Sequence, residues 1–221
     1  MKQPSKTPQL IQWSEEFGKQ YTDRNFMTPE GADALCQKNY GITRTELDRE
    51  FLRQIPLGAK ILEVGCNIGN QLLLLQRLGF SNLYGVDAQA YAVDLACSRT
   101  TGINLARASA FDLPYEDGEF DLVFTSGVLI HIAPGDLHRA MSEIHRCAKA
   151  YIWGFEYYSS SPTEVTYRGH SSLLWKMDYA QRHLEFFDDL TPVLGKRVAY
   201  LDNANVDTMF LLRKGPRPES S

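Results

Sequence analysis

Small and acidic residues follow an apolar, strand-like run near Ile61, and their types and spacing could position a ligand. Glu63, Gly65 and Gly69 lie where this run gives way to the helix-like stretch 71–78. Glycine permits backbone angles and close approaches that a Cβ would block, and N–H groups at a helix start can face an anionic group. A nucleotide-type ligand is therefore predicted over this turn. Its predicted loop contacts are Glu63, Gly65, Cys66, Asn67 and Gly69.

The glycine spacing separates this turn from dinucleotide-binding folds. A dinucleotide fingerprint reads G-x-G-x-x-G, whereas here Gly65 and Gly69 stand four residues apart and no third glycine completes that spacing. The sequence therefore argues against an NAD-dependent dehydrogenase.

A second acidic residue, Asp87, ends another short strand-like segment, 22 residues beyond Gly65. A carboxylate at that distance and at the end of the second strand accepts hydrogen bonds from ribose hydroxyls. Asp87, with the adjacent Ala88, is therefore predicted to bind a ribose. The alternative is a surface Asp that caps the helix beginning near Ala90.

A strongly apolar segment, Phe120–Thr125, breaks at Ser126 and Gly127 and is followed by His131. In open α/β sheets, ligands bind beyond the carboxyl ends of the strands, so Ser126 and Gly127 are predicted to face the ligand. An unperturbed imidazole has a pKa near 6.5, and His131 is therefore the predicted general base. The alternatives are that His131 caps the following helix or packs under the ligand.

The region from Phe155 to Tyr179 contains more aromatic and ionisable side chains than a plain connector needs. Aromatic rings supply contact area and charges supply orientation for a polar small molecule, and an arginine fork can hold a carboxylate or a phosphate. An ordinary surface loop whose rings cover the sheet edge is the alternative. The predicted substrate-binding residues are Glu156, Tyr157, Arg168 and His170.

Elements that alternate between strand-like and helix-like patterns must position these groups. Residues 56–214 are predicted to form an α/β domain with a parallel sheet, closed by strands near 198–200 and 208–212. Residues 1–55 are predicted to be a helical extension, and residues 215–221 a flexible tail.

Aromatic residues mark the helical extension. Trp13, Phe17 and Tyr21 recur every four residues, which predicts an amphipathic helix. The row either belongs to the core or, together with Arg24 and Asn25, forms a lid that folds over the ligand and excludes water. The lid interpretation places Tyr21 among the cofactor contacts.

One further segment, Ala106–Pro114, contains Phe111 and Asp112. Together with the three strand ends, it resembles the motifs of the class I S-adenosylmethionine (SAM) methyltransferases. This resemblance implies a Rossmann-like seven-stranded sheet with helices on both faces, SAM as the cofactor, and a loop around its methionine part. It also implies that Asp112 meets the adenine amino group while Phe111 packs on the ring. An Asp that starts a turn before Leu-Pro is the alternative for Asp112.

Several shorter stretches are more distinctive, and they are Glu15–Gly18, Tyr21–Asn25, Gly127–Ile132, Glu156–Tyr158 and Tyr167–His170. They resemble a narrower family, the methyltransferases named for their association with pseudaminic acid biosynthesis. This resemblance implies methyl transfer to an N or O nucleophile of a small polar metabolite, an amino sugar or a related biosynthetic intermediate. A non-catalytic SAM-binding module that acts through partner binding is the alternative function.

Length and charge agree with a small-molecule enzyme. The chain has 221 residues, 43% of them hydrophobic, and a net charge of −4, so one domain with a sizeable core is expected. No nucleic-acid partner is predicted from this charge, and no stretch approaches the roughly 20 apolar residues of a membrane helix. The polar start, Met1–Ser5, predicts no secretory signal peptide. The oligomeric state is left open.

Cysteine and histidine spacing predicts no metal site. Cysteines that stand far apart indicate reduced thiols and a cytoplasmic location. His131, His138 and His145 are seven residues apart, whereas helical metal ligands lie three or four apart. His138 and His145 are therefore predicted to be solvated surface groups. The cysteines are Cys36, Cys66, Cys97 and Cys147.

Overall fold

A seven-stranded sheet forms the centre of the computed structural model, which describes residues 7–215. The strands are β1 (Ile61–Val64), β2 (Leu83–Asp87), β3 (Ile103–Arg107), β4 (Phe120–Ser126), β5 (Ala148–Tyr157), β6 (Thr163–Glu164), β7 (Trp175–Lys176), β8 (Leu190–Ala199) and β9 (Val206–Lys214). The sheet order is β3-β2-β1-β4-β5-β9-β8, and β6 pairs separately with β7. Strands β1 to β5 run parallel, whereas β9 is antiparallel to β5 and β8.

Helices cover both faces of this sheet. They are α1 (Pro8–Ser14), α2 (Glu16–Arg24), α3 (Pro29–Tyr40), α4 (Arg44–Leu52), α5 (Asn70–Arg77), α6 (Ala90–Arg99), α7 (Leu137–Cys147) and α8 (Tyr179–Phe186). A 3-10 turn spans Leu129–His131. The predicted Rossmann-like fold class, with its seven strands, two helical layers and N-terminal helices, is confirmed.

Two apolar cores fix the sheet between these layers. On one face, Phe51 of α4 and Leu72 of α5 pack against the strands. On the other face, Met141 of α7 and Tyr179 of α8 do so. All four side chains are buried, and burial of such apolar surface is the main stabilising contribution to folding. The carboxyl ends of β1, β2 and β4 are therefore held at one edge by packing on both sides.

The N-terminal aromatic row does not lie on one helix, so that prediction is wrong in detail. The chain leaves helical geometry at Glu15 (φ −112°, ψ −152°), which puts Trp13 on α1 and Tyr21 on α2. The sharp turn brings Gly18 against the carbonyl oxygen of Trp13, where an added Cβ would lie only 1.8 Å away. Glycine at position 18 is what lets the two short helices cross so closely.

The prediction that His145 is a solvated surface group is also wrong. His145 is buried on α7, its Nε2 lies 2.7 Å from Asp189 Oδ1, and its ring stacks on Phe187 at 4.2 Å. Residues seven apart on a helix lie on nearly the same face. His138 nevertheless lies outside the buried stripe of α7 and is exposed. Spacing alone did not distinguish these two positions.

Some predictions concern residues outside the described range. Met1–Ser5 lies there, and of the predicted tail only Gly215 is described. Helix α4 ends at Leu52 and β1 begins at Ile61, which agrees with a change of organisation near residue 55. The division into an extension and a domain stays a prediction.

Candidate active site

A cavity of about 410 Å³ lies at the edge of the sheet where β1, β2 and β4 end. This volume is in the range of small-molecule binding sites. The N-terminal helices contribute its outer wall, with Trp13 and Tyr21 among the lining residues. The other predicted site residues that line the cavity are Glu63, Gly65, Cys66, Asn67, Asp87, Ala88, Phe111, Ser126, Gly127, His131, Glu156 and Tyr157.

Four predicted site residues lie outside this cavity lining. Gly69 forms the N-cap of α5 at φ +77°, where its N–H donates to the carbonyl of Cys66 at 2.8 Å; it shapes the loop from behind. Asp112 is exposed. Arg168 and His170 are exposed as well, on a tight turn that reverses the chain over Tyr167–His170. The predicted acceptor residues therefore separate into two groups, with Glu156 and Tyr157 inside and the other two outside.

The turn after β1 approaches the 3-10 turn too closely for any side chain at position 65. Gly65 has φ +77°, and an added Cβ would lie 2.5 Å from Val128 Cγ2. The N–H groups of Gly65 and Cys66 both donate to the carbonyl of Val86, at 2.8 and 2.9 Å. The loop is thereby pinned to β2 on one side and to the end of β4 on the other.

Asp87 organises the loop from the end of β2. Its two carboxylate oxygens accept backbone N–H bonds from Asn67 and Gln89, each at 2.8 Å. Burial raises the pKa of Asp87, and these N–H bonds oppose the shift. Each carboxylate oxygen can accept a second hydrogen bond, so Asp87 retains capacity for a ligand hydroxyl.

Glu63 is buried beneath the same loop. Its side chain is 2% exposed, and among residues 7–215 its Oε2 has no hydrogen-bond partner. Burial raises the pKa of Glu63 well above its ordinary value, and nearby Arg44 opposes the shift. An acceptor atom left unpaired in a buried site costs free energy, so a ligand donor here would be stabilising.

Glu156 is tied into the structure more tightly than an acceptor-binding residue needs to be. Its oxygens accept the N–H groups of Val128, Leu129 and Ile130 at 3.2, 3.3 and 3.4 Å. Burial raises the pKa of Glu156 to about 7, while these bonds and one from Thr125 oppose the shift. The carboxylate therefore holds the 3-10 turn that carries His131.

His131 faces the cavity as a neutral imidazole. Its Nδ1 lies 2.7 Å from the carbonyl oxygen of Leu173; since a carbonyl only accepts, Nδ1 carries the proton and Nε2 is the free acceptor. Burial lowers the pKa of His131 to about 4. Its ring also lies 4.3 Å from that of Trp13. This geometry leaves Nε2 unprotonated at pH 7, though weakly basic.

The N-terminal helices are bonded directly to the loops of the sheet edge. Asn67 Nδ2 donates to Thr22 Oγ1 at 2.8 Å, and Gln89 Nε2 donates to the carbonyl of Glu15 at 2.8 Å. Thr22 is fully buried. Helix α2 therefore covers the same loop residues that line the cavity, and the helices act as a roof over it.

A comparison with known protein families agrees with this arrangement. Residues 62–151 match a family model described as a methyltransferase domain. The match runs from β1 to the start of β5 and includes the ends of β1, β2 and β4 that border the cavity. An uncharacterised methyltransferase of Synechocystis sp. is 33% identical over 107 residues, which cover 45% of this chain and 50% of that protein. Cycloartenol-C-24-methyltransferase of Arabidopsis thaliana is 30% identical over 108 residues, 43% of this chain and 32% of that protein. The chain thus spans half or less of these relatives.

Solved structures share the fold over nearly the whole chain. Geranyl diphosphate C-methyltransferase from Streptomyces coelicolor, in complex with Mg²⁺, geranyl diphosphate and S-adenosyl-L-homocysteine, aligns with a TM-score of 0.70 at 13% identity, covering 96% of this chain and 100% of that one. 1,6-Didemethyltoxoflavin-N1-methyltransferase from Burkholderia thailandensis, with its substrate and S-adenosylhomocysteine, gives 0.69 at 14%, covering 98% and 94%. The chain therefore shares its fold with these two methyltransferases, and the N-terminal helices are included in the match.

Residues from distant parts of the chain complete the cavity of this methyltransferase fold, and sequence reasoning missed them. Tyr40, Arg44, Tyr200 and Asp207 line it. Arg44 and Asp48 look like an ordinary i, i+4 surface pair in the sequence, yet both are buried. Asp207 stands near the start of β9, just before the apolar run Met209–Leu212, and this is the local signal that could have drawn attention to this group.

Other site classes find little support in the described residues. Over residues 7–215, no cluster of three or more His, Cys, Asp or Glu side chains could hold a metal ion. No helix in that range has the length and apolar character to cross a membrane. The four cysteines all lie within it and are free thiols.

Proposed function

We propose that this protein is a SAM-dependent methyltransferase that acts on a small polar molecule. The observation that carries the proposal is the cavity itself. It connects the glycine turn and Asp87, at the ends of β1 and β2, with a second part beyond the end of β5 that Tyr157 and Asp207 line. One region suits the cofactor and the other suits the acceptor.

The residues at the first region fit SAM on chemical grounds. The unpaired Oε2 of Glu63 suits a ligand amino group, and Asp87 has acceptor capacity for ribose hydroxyls. Phe111 lines the cavity beside Ala110 and suits the adenine ring. Asp112, the predicted adenine contact, lies outside the cavity lining. We therefore assign the polar contact beside the adenine ring to Ser109, which lines the cavity.

When bound, SAM supplies a methyl group made electrophilic by its sulfonium centre. The chain must then align a nucleophile and exclude water. We assign water exclusion to the roof formed by α1 and α2, with Trp13 and Tyr21 facing the cavity. We assign to His131 Nε2 the acceptance of a hydrogen bond or proton from the acceptor group, since this nitrogen is unprotonated at pH 7.

An N or O nucleophile of a small polar metabolite is the acceptor that we favour, and an amino sugar or a related biosynthetic intermediate is the class implied by the pseudaminic acid-associated family. The geranyl diphosphate and didemethyltoxoflavin enzymes, whose fold this chain shares, act on small molecules. A cavity of about 410 Å³ and a net charge of −4 also suit a small molecule better than a nucleic acid. Four free cysteines fit a cytoplasmic setting.

The alternative is a SAM-binding module without catalytic activity. Two measurements separate it from the enzyme. Calorimetry with SAM, S-adenosylhomocysteine and, as a control, NAD tests the cofactor: we expect the first two to bind and NAD not to. Transfer of a labelled methyl group from SAM to a panel of sugars, amino sugars and uronic acids then tests the reaction. Binding without transfer to any acceptor would favour the module, and tight binding of NAD in place of SAM would contradict the cofactor assignment.

A further inference from the structure

Three phenol rings and one carboxylate enclose the part of the cavity beyond the end of β5. Tyr40, Tyr157, Tyr200 and Asp207 line this part, which we call the acceptor chamber. The ring centroids of Tyr40 and Tyr200 lie 4.7 Å apart, and those of Tyr157 and Tyr200 lie 6.3 Å apart. Asp207 is the register partner of Tyr157 across β5 and β9. The chamber is thus assembled from α3, the end of β5 and the β8–β9 hairpin.

The two oxygens of Asp207 have different environments. Oδ2 accepts from the Tyr40 hydroxyl at 2.5 Å and lies 3.3 Å from the Tyr200 hydroxyl. Oδ1 is enclosed and, within residues 7–215, accepts no hydrogen bond, while the residue as a whole is 3% exposed. Burial raises the pKa of Asp207 to about 6, which leaves it mostly ionised at pH 7. A buried carboxylate oxygen without a donor is costly, so a ligand that donates to it would be favoured.

The charge around the cavity selects the sign of that ligand. Its lining carries four carboxyl groups, those of Glu63, Asp87, Glu156 and Asp207. Among residues 7–215, Arg44 is the single Lys or Arg in the same lining. Its Nε lies 2.8 Å from Asp48 Oδ1, while its buried Nη2 has no hydrogen-bond partner in that range. Burial raises the pKa of Glu63 well above its ordinary value and that of Glu156 to about 7, whereas the pKa of Asp207, about 6, leaves Asp207 mostly ionised at pH 7. The negative charge of Asp207 attracts a cation and repels an anion in this part of the cavity. The ion pair with Asp48 offsets the charge of Arg44, so a phosphate or carboxylate would find one donor in Nη2, without a net positive charge, and no second Lys or Arg among the described residues of the lining.

The three tyrosine rings of the chamber also favour a cationic ligand, because the face of a phenol ring attracts cations. One example already lies at the chamber's edge: the ammonium of Lys176 is 5.3 Å from the centroid of the Tyr157 ring. Lys176 is held by Asn205 and does not line the cavity, and its charge offsets part of the charge of Asp207. It leaves the rings of Tyr40 and Tyr200 and the oxygen Oδ1 of Asp207 for a ligand.

We propose that the acceptor chamber binds a protonated amine of the methyl acceptor, with Asp207 as its carboxylate partner and the three phenol rings around it. The acceptor is then an amine-bearing polar molecule of the amino sugar type, and not a phosphorylated or carboxylated one. This inference rests on the proposed function, because it concerns the second ligand of the same cavity.

Three sugars that differ in one group test the chamber: glucosamine carries an ammonium, glucose a hydroxyl at the same carbon, and glucuronate a carboxylate. Saturation-transfer NMR at pH 7 measures their dissociation constants, with and without S-adenosylhomocysteine. We expect glucosamine to bind about tenfold more tightly than glucose, the size of one charge-assisted hydrogen bond, and glucuronate to bind most weakly. Asp207→Asn should abolish this preference, whereas Asp202→Asn, at an exposed position on the same hairpin, should retain it.

Calorimetry with S-adenosylhomocysteine on the same samples keeps the two proposals apart. Loss of cofactor binding with an intact glucosamine preference would contradict the proposed function alone. Equal binding of glucose and glucosamine, undetectable glucosamine binding, a preference for glucuronate, or an unchanged preference in Asp207→Asn would each overturn the acceptor chamber. If Asp207→Asn does not fold, Tyr200→Leu replaces it: removal of this ring should weaken glucosamine binding and leave glucose binding unchanged, and equal effects on both sugars would overturn the assignment.

Discussion

The two halves of the cavity are built in different ways. The cofactor half comes from short contiguous motifs, in which the N–H of Gly65 donates to the carbonyl of Val86 and the N–H of Asn67 donates to the carboxylate of Asp87. The acceptor half joins side chains more than 150 residues apart, as in the bond from Tyr40 to Asp207. Local backbone geometry thus specifies one half, while tertiary packing specifies the other. Changes in the first should act on cofactor binding, and changes in the second on the acceptor.

Gly65→Ala should produce the largest effect on the cofactor half. The new side chain would meet a positive φ and lie 2.5 Å from Val128 Cγ2. We expect a loss of about 1–3 kcal/mol in the free energy of unfolding, as for overpacking in a core, together with loss of measurable S-adenosylhomocysteine binding in calorimetry. Gly118→Ala is the matched control, because its φ is +65° but its nearest neighbour lies 4.0 Å away. Equal losses in both variants would mean that backbone strain, and not the contact with Val128, decides the effect.

His131→Ala should act on the acceptor half. We expect turnover to fall about 100-fold at pH 7, with unchanged S-adenosylhomocysteine affinity. Because the pKa of His131 is lowered to about 4, its imidazole stays neutral throughout mildly acidic and neutral solution. The ratio of wild-type to variant turnover should therefore stay constant between about pH 5.5 and 7 and shrink at higher pH, where the acceptor loses its proton unaided. A ratio that collapses as the pH falls through about 6.5 would indicate an ordinary imidazole pKa.

The variants Asp87→Asn and Asp112→Asn test which of these two acidic side chains contacts the cofactor. Asp87 lines the cavity and Asp112 is exposed. Loss of one charged hydrogen bond to a ribose hydroxyl costs about 1.5–3 kcal/mol, so Asp87→Asn should weaken SAM binding at least about tenfold. Asp112→Asn should leave the calorimetric affinity unchanged. The opposite ranking would restore Asp112 as the adenine contact and remove Asp87 from ribose binding.

Arg168→Lys should have the smallest effect. Arg168 is exposed and outside the cavity lining, so loss of its planar fork should change KM and kcat for the acceptor by less than about twofold. His170→Ala, on the same turn, should behave in the same way. A marked rise in KM for an anionic acceptor in either variant would place the acceptor on this outer turn and argue against the acceptor chamber.

The sequence by itself determined the fold class and most of the cofactor half. Spacing located Glu63, Gly65 and Asp87 at strand ends, and parallel pairing of β1, β2 and β4 necessarily brings such ends to one edge of the sheet. The register shows this pairing directly, since Glu63 of β1 lies between Gly85 of β2 and Phe124 of β4. The four-residue spacing of Trp13, Phe17 and Tyr21 did not reveal that two helices carry these rings. The break between the helices at Glu15 depends on their close crossing at Gly18, which is a tertiary contact.

Only the tertiary structure decided which polar side chains share the acceptor half. Arg168 and His170 have suitable chemistry but lie on an exposed turn, whereas Tyr40 and Asp207 carry no motif and are brought together by the docking of α3 beside β9. The lowered pKa of His131 could not be predicted from the sequence either, because burial of the ring causes it. Motifs record contacts between near neighbours in the chain, while burial and long-range contacts arise only when the helices and strands pack.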